Sequence, residues 1–233
     1  IAEWLTKLVL ANFFWVIFTL LGLGVFGIMP ATAALFGIMN KWLSGEEWVI
    51  FTLLGLGVFG IMPATAALFG IMNKWLSGEE NIKIFREYWN LYRKFFVRAN
   101  IIGLIIILIA VILYIDLDYF KTREGWYNIL IKNFIYILII LYFLNLIYLF
   151  PLLVKYDIKI RYIIKNALIY IFLTPLEVFQ IILGLVILAV VFYFLPSLLP
   201  FLAVSLPVYW IARISRKGIS KVESKVIESM EKE

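Results

Sequence analysis

WVIFTLLGLGVFGIMPATAALFGIMNKWLSGEE fills Trp15–Glu47, and the same 33 residues follow again as Trp48–Glu80. The segment is nearly all apolar, is interrupted by one proline, and closes on Glu-Glu. From Leu8 to Met39 no charge occurs. As one helix that run would be about 48 Å long, more than the ~30 Å of a hydrocarbon core. Pro30 resolves the excess, because a proline breaks or kinks a helix interior and suits a first turn. The reading is a span over about 8–28 and a short helix from Pro30, either a return span or a re-entrant element. Pro30 and its repeat Pro63 are therefore the expected hinges. Gly22, Gly24 and Gly27, with Ala33 and Gly37, allow close helix contact.

The rest of the chain agrees about the solvent. Of its 233 residues 64% are hydrophobic and 15% charged, and the mean hydropathy is +1.01. Ordinary soluble domains are about 45–50% apolar and about 25% charged. Runs such as IIGLIIILIAVILYI (101–115) lack the alternation of a barrel strand. The expected fold is all-α: a polytopic transmembrane helical bundle with interfacial amphipathic helices. One membrane domain covers 1–217, with spans at about 8–28, 101–115, 133–154, 175–195 and 198–212, Pro207 kinking the last. A charged, solvated tail, 218–233, follows.

Asn81–Asn100 changes character. Phe85, Tyr88, Trp89, Tyr92, Phe95 and Phe96 recur every three or four residues, among Lys83, Arg86, Arg93, Lys94 and Arg98. That is an amphipathic helix, 81–98, suited to a membrane interface, with Lys83, Arg86, Trp89, Arg93, Lys94 and Arg98 as its contacts. Beside a span such a segment meets anionic lipid headgroups, not nucleic acid. Ile160–Leu173 reads as a second interfacial helix. The basic clusters 83–98, 155–165 and 213–217 alternate with weakly charged loops at 116–125 and 196–200. By the positive-inside rule the C-terminus is cytoplasmic. The expected location is a bacterial cell membrane, crossed several times.

Thr174-Pro175-Leu176-Glu177 invites a proton-coupling reading, since an acid between apolar runs often marks transport. It also has the form of a capping box: Thr174 as N-cap, Pro175 at the first position, Glu177 at the third. The cap is the preferred reading.

The chain has no cysteine and no histidine, which removes thiol nucleophiles, Cys/His metal sites and the usual neutral-pH base. No catalytic residues, cofactor or metal follow from the sequence, and the expectation is a non-enzyme.

Three pieces carry a family resemblance: TLLGLGVFGIMPATAALFGIMNKWLSGE, IFREYWNLYRKFFVRANIIGL and LYIDL. They resemble the YesL-like family of small integral membrane proteins of Gram-positive bacteria, with the first piece doubled. The resemblance implies an uncharacterised function, with some members associated with carbohydrate-uptake genes, and ABC transporter subunits as partners. It supplies no catalytic residues. The leading expectation is an accessory to an ABC-type uptake system; the alternative is an autonomous small-solute transporter or channel. A repeat without one difference has had no time to diverge, so it reads as a recent or engineered duplication, or an artefact of the sequence. Its copies compete for one packing site. The copy preceded by Leu8–Phe14 should take the long span and Pro63–Leu76 the slot before residue 81, with about 30–62 displaced and homo-oligomer contacts one outcome.

Overall fold

A computed structural model describes residues 3–22, 49–79, 82–121, 123 and 125–230. Every regular element among them is helical: α1 (Glu3–Gly22), α2 (Val49–Leu76), α3 (Ile84–Lys121), α4 (Trp126–Lys155), α5 (Ile160–Leu173), α6 (Pro175–Phe194), α7 (Leu199–Leu202) and α8 (Ser205–Met230). Four of these, α1, α3, α4 and α6, are long and apolar enough to cross a membrane. The protein is a multi-pass helical membrane protein. Pro30 lies outside the described residues.

The helices group into two compact units. The first holds 1–103 and 197–206. In it α1 runs antiparallel to α2: Trp15 Nε1 donates to Thr65 Oγ1 at 3.1 Å, and a Cβ on Gly22 would stand 2.5 Å from Gly60 Cα. α1 runs parallel to α3, where Phe14 meets Phe85 at 5.6 Å and Phe18 meets Tyr92 at 5.3 Å. Thus Trp15 and Gly22 of the first copy face Thr65 and Gly60 of the second. The reading of 49–62 as displaced is corrected, because α2 passes through Pro63 without a break. An interior proline costs a helix about 3 kcal/mol, but Pro63 is buried and packing on its neighbours outweighs that. Thr65 helps by returning its hydroxyl to Ile61 O at 2.8 Å. Gly78, at φ 90°, ends this segment in the left-handed conformation a helix stop favours.

α3 also departs from expectation, since 84–98 and 101–115 belong to one continuous helix that runs on to Lys121, through part of the expected loop 116–125. The aromatic stripe does not lie free. Tyr88, Tyr92 and Phe95 are buried, Tyr88 stacking on Phe18 at 4.8 Å and donating to Ala64 O at 2.6 Å. The large rings find ring partners on α1, which local periodicity could not show.

The second unit holds 104–196 and 207–233. α5 covers the expected Ile160–Leu173 and buries Ile163, Ala167 and Ile171. The expected span 198–212 is not one helix but short α7 followed by α8, which starts at Ser205 and continues to Met230; together they are long and apolar enough for a broken span or a re-entrant loop. Pro207 is no kink: it lies in the first turn of α8, where helix N–H groups have no intrahelical partner to lose. The tail is therefore the continuation of α8, not a separate segment.

Candidate functional site

The densest polar cluster in the second unit lies where α4, the α5–α6 junction and α8 meet. Thr174 ends α5 and starts α6 with φ −130° and ψ 56°. Its side chain makes no cap hydrogen bond, and the capping-box reading is corrected accordingly. The hydroxyl turns back to Tyr170 O at 2.7 Å and shares a 2.5 Å hydrogen bond with the Tyr148 hydroxyl. Pro175 does occupy the start of α6.

Glu177 is 4% exposed, held among the chain's own side chains. Lys221 Nζ of α8 reaches its Oε1 at 3.2 Å, while Oε2 is buried with no hydrogen-bond partner among the described residues. Gly218 makes the approach possible. A Cβ there would meet Tyr148 Oη at 2.9 Å, Thr174 Cγ2 at 3.3 Å and Glu177 Cγ at 3.4 Å. One helical turn farther, Glu223 takes Lys155 Nζ at 2.6 Å and the Tyr156 hydroxyl. Burial pushes the Glu223 carboxyl up, but hydrogen bonds from Lys155 and Tyr156 outweigh it and hold it below the usual carboxylate range. Burial, then the bond to Glu223, pushes the Tyr156 phenol well up. The charged, solvated tail also holds the helices together: its Lys221 and Glu223 are the latch on α6 and α4. Alternating Lys and Glu gives no local sign of partners so distant in sequence.

Asn145, a buried polar residue of α4, donates to Ile164 O at 3.3 Å, an interhelical hydrogen bond. In the first unit Asn12 does comparable work and the sequence reading missed it. Its Nδ2 donates to Pro200 O at 2.9 Å, and its Oδ1 accepts from Val204 N at 3.2 Å and Ser205 N at 3.3 Å. It thereby satisfies N–H groups at the start of α8. A lone amide in an apolar run was the available signal.

The residues expected at the interface are on α3, apart from Lys83, which directly precedes it. Lys83, Arg86, Arg93 and Lys94 are exposed, as is Trp89, while Arg98 is half-buried. Arg93 stands 6.0 Å from the Trp89 ring centre. Glu87, the acid in this basic helix, is taken by Lys74 at 2.8 Å. Among the described residues no group of three acidic side chains gathers as a metal site would.

The sequence matches the family described as "Protein of unknown function, DUF624" over residues 8–47 and again over 48–117. It is 41% identical to the uncharacterised protein YteU of Bacillus subtilis over 226 residues, covering 95% of this chain and 84% of that protein. The chain belongs to the YesL-like DUF624 family. Another B. subtilis relative, the uncharacterised protein YesV, is 32% identical over 95% of this chain and 91% of its own length. The uncharacterised protein YesL is 48% identical over 42 residues, 18% of this chain and 20% of that protein. No solved structure matches this DUF624 chain. The two family matches meet between Glu47 and Trp48, the junction of the repeat.

Proposed function

We propose that this DUF624 protein is a non-enzymatic membrane component that binds other membrane helices, as an accessory to an ABC-type carbohydrate uptake system. One observation carries the reading. Buried polar side chains of its helices, Asn12, Asn145, Thr174 and Glu177, contact the chain's own helices, whereas a solute pathway presents polar groups to a cavity. Large apolar side chains such as Leu108, Phe134, Phe143, Phe179 and Val186 are left on the outside, ready to pack on lipid or on partner helices. Co-purification from native bacterial membranes tests this. ABC permease subunits should accompany the protein, and recovery of a single monodisperse species would overturn the accessory role.

The second reading, an autonomous transporter, is favoured by the unpartnered Oε2 of Glu177. Solute flux in liposomes holding only this chain, pH-dependent and lost in Glu177→Gln, would establish it. We place the protein in the bacterial cell membrane with its C-terminus cytoplasmic and the basic residues between Lys83 and Arg98 against anionic headgroups. With no native cysteine, single cysteines introduced at Ser229 and Asp118 report sidedness directly: Ser229 should label from the cytoplasm and Asp118 from outside. We read the repeat as a recent or engineered duplication, supported by the family match restarting at Trp48.

A further inference from the structure

A groove of about 280 Å³ opens in the second unit, running from Ile105 to Leu113 on α3 and Leu138 to Leu149 on α4, with Ile164 and Leu168 on α5. Its lining is apolar apart from Tyr142 and Asn145, and both are already engaged. The Tyr142 hydroxyl donates to Ile106 O at 3.3 Å, and Asn145 donates to Ile164 O. From Ile105 to Leu113 the groove covers about 12 Å of helix, close to the ~15 Å depth of one bilayer leaflet.

The α5 wall has a charged end. Arg161 precedes Ile164 by three positions and Leu168 by seven, which places all three on one stripe of a 3.6-residue helix. Lys165 follows Ile164 directly, and both cations are exposed. The Arg161 guanidinium donates to the Tyr162 hydroxyl at 2.7 Å and stands 4.7 Å from that ring's centre. Tyr162 is a neutral partner, so the positive charge is left for an anion. Long basic side chains reach along an apolar surface to a phosphate while their stems remain packed.

An apolar slot one leaflet deep beside two cations matches one ligand class in both parts. We infer that this groove binds a single anionic phospholipid, with an acyl chain along Ile109 and Leu138 and the headgroup phosphate at Arg161 and Lys165. Generic annular lipid would need only the apolar slot. The paired charges add selection for headgroup, in the manner of basic pockets between membrane helices.

Native mass spectrometry of the detergent-purified full chain tests the site with phosphatidylglycerol and phosphatidylcholine of equal chain length. One phosphatidylglycerol should be retained at collision energies that strip phosphatidylcholine, with bound fractions differing roughly fivefold, about 1 kcal/mol. Arg161→Gln with Lys165→Gln should bring the two lipids level. Ile109→Trp, at a partly exposed position that tolerates bulk, should lower both; Leu138→Trp serves if that variant is not monodisperse. Equal retention of the two lipids by the unmodified protein overturns the inference. So does a phosphatidylglycerol preference that survives the charge changes, or one unaffected by filling the groove. Displacement by soluble glycerol phosphate would also overturn it, since the acyl chain would then contribute nothing.

Discussion

The two units hold their helices together by different chemistry. In the first, α1, α2 and α3 meet through rings and glycines: Phe14, Phe18, Tyr88 and Tyr92 on one seam, with Gly22 against Gly60. In the second, α8 is fixed to α6 and α4 by Glu177–Lys221 and Glu223–Lys155, and Tyr148–Thr174 ties α4 to the α5–α6 junction. The difference follows from the solvent. Lipid tails are as apolar as leucine, so between membrane helices the attraction comes from close fit and hydrogen bonds. The seam relies on fit. The latch uses charge and hydrogen bonds, around a helix whose tail is rich in Lys and Glu.

The largest effect that would sharpen this contrast comes from Lys221→Met. It leaves the Glu177 carboxylate buried and unpaired, a loss of about 3 kcal/mol, the low end for a broken buried pair because Lys221 is itself about half exposed. Adding Glu177→Gln should recover part of the loss in thermal unfolding in detergent; strictly additive losses would show that the pair is not coupled. Asn12→Leu probes a polar contact within the first unit. Losing its three hydrogen bonds should cost about 2 kcal/mol, and an unchanged stability would show that Asn12 adds nothing to the fit of that unit.

Gly22→Ala comes next, at about 1.5 kcal/mol. Its Cβ would collide with Gly60 backbone and the Tyr92 hydroxyl at 2.5 Å, and backbone cannot swing aside. Gly70→Ala is the control, because there the nearest atom is the Leu91 side-chain tip at 2.8 Å. Equal losses from the two alanines would argue against backbone contact as the cause. Tyr148→Phe removes one hydroxyl pairing, for about 0.6 kcal/mol, since Thr174 keeps its bond to Tyr170 O.

The smallest effect is a titration. The folded-state pKa of Glu223 lies below its usual value, so its contribution is present above the unfolded carboxylate value of about 4.3 and is lost as pH falls through the folded one. Hydrogen exchange in α8 beyond Ser220 should rise at that acid end while residues 8–22 of α1 hold steady. A parallel rise in α1 would remove the distinction between seam and latch.

Much of this arrangement was legible locally. Thr174-Pro175 marks the α5–α6 junction because proline suits the first turn of a helix, where its missing N–H loses no bond, and the buried face of α5 follows from Ile163, Ala167 and Ile171 at helical spacing. What sequence could not supply was the choice of partner. Glu177 has the position of a capping residue and the role of an ion-pair partner to Lys221, 44 residues away in the chain. The Tyr88–Tyr92 stripe has the periodicity of an interfacial face, and burial came from Phe18 on another helix. Pro63 reads as a hinge because local cost is all that a sequence window contains.

The antiparallel pairing of α1 with α2 has one more consequence. Gly22, where α1 ends, and Gly60, within α2, lie together, so the chain leaves α1 and enters α2 at the same end of the pair. Chain inserted between those two helices keeps α2 and α3 in their direction only where it starts and finishes at that same end, which a segment with an even number of crossings does and a single span does not. A repeated segment at this connection is thus tolerated or not by the parity of its crossings.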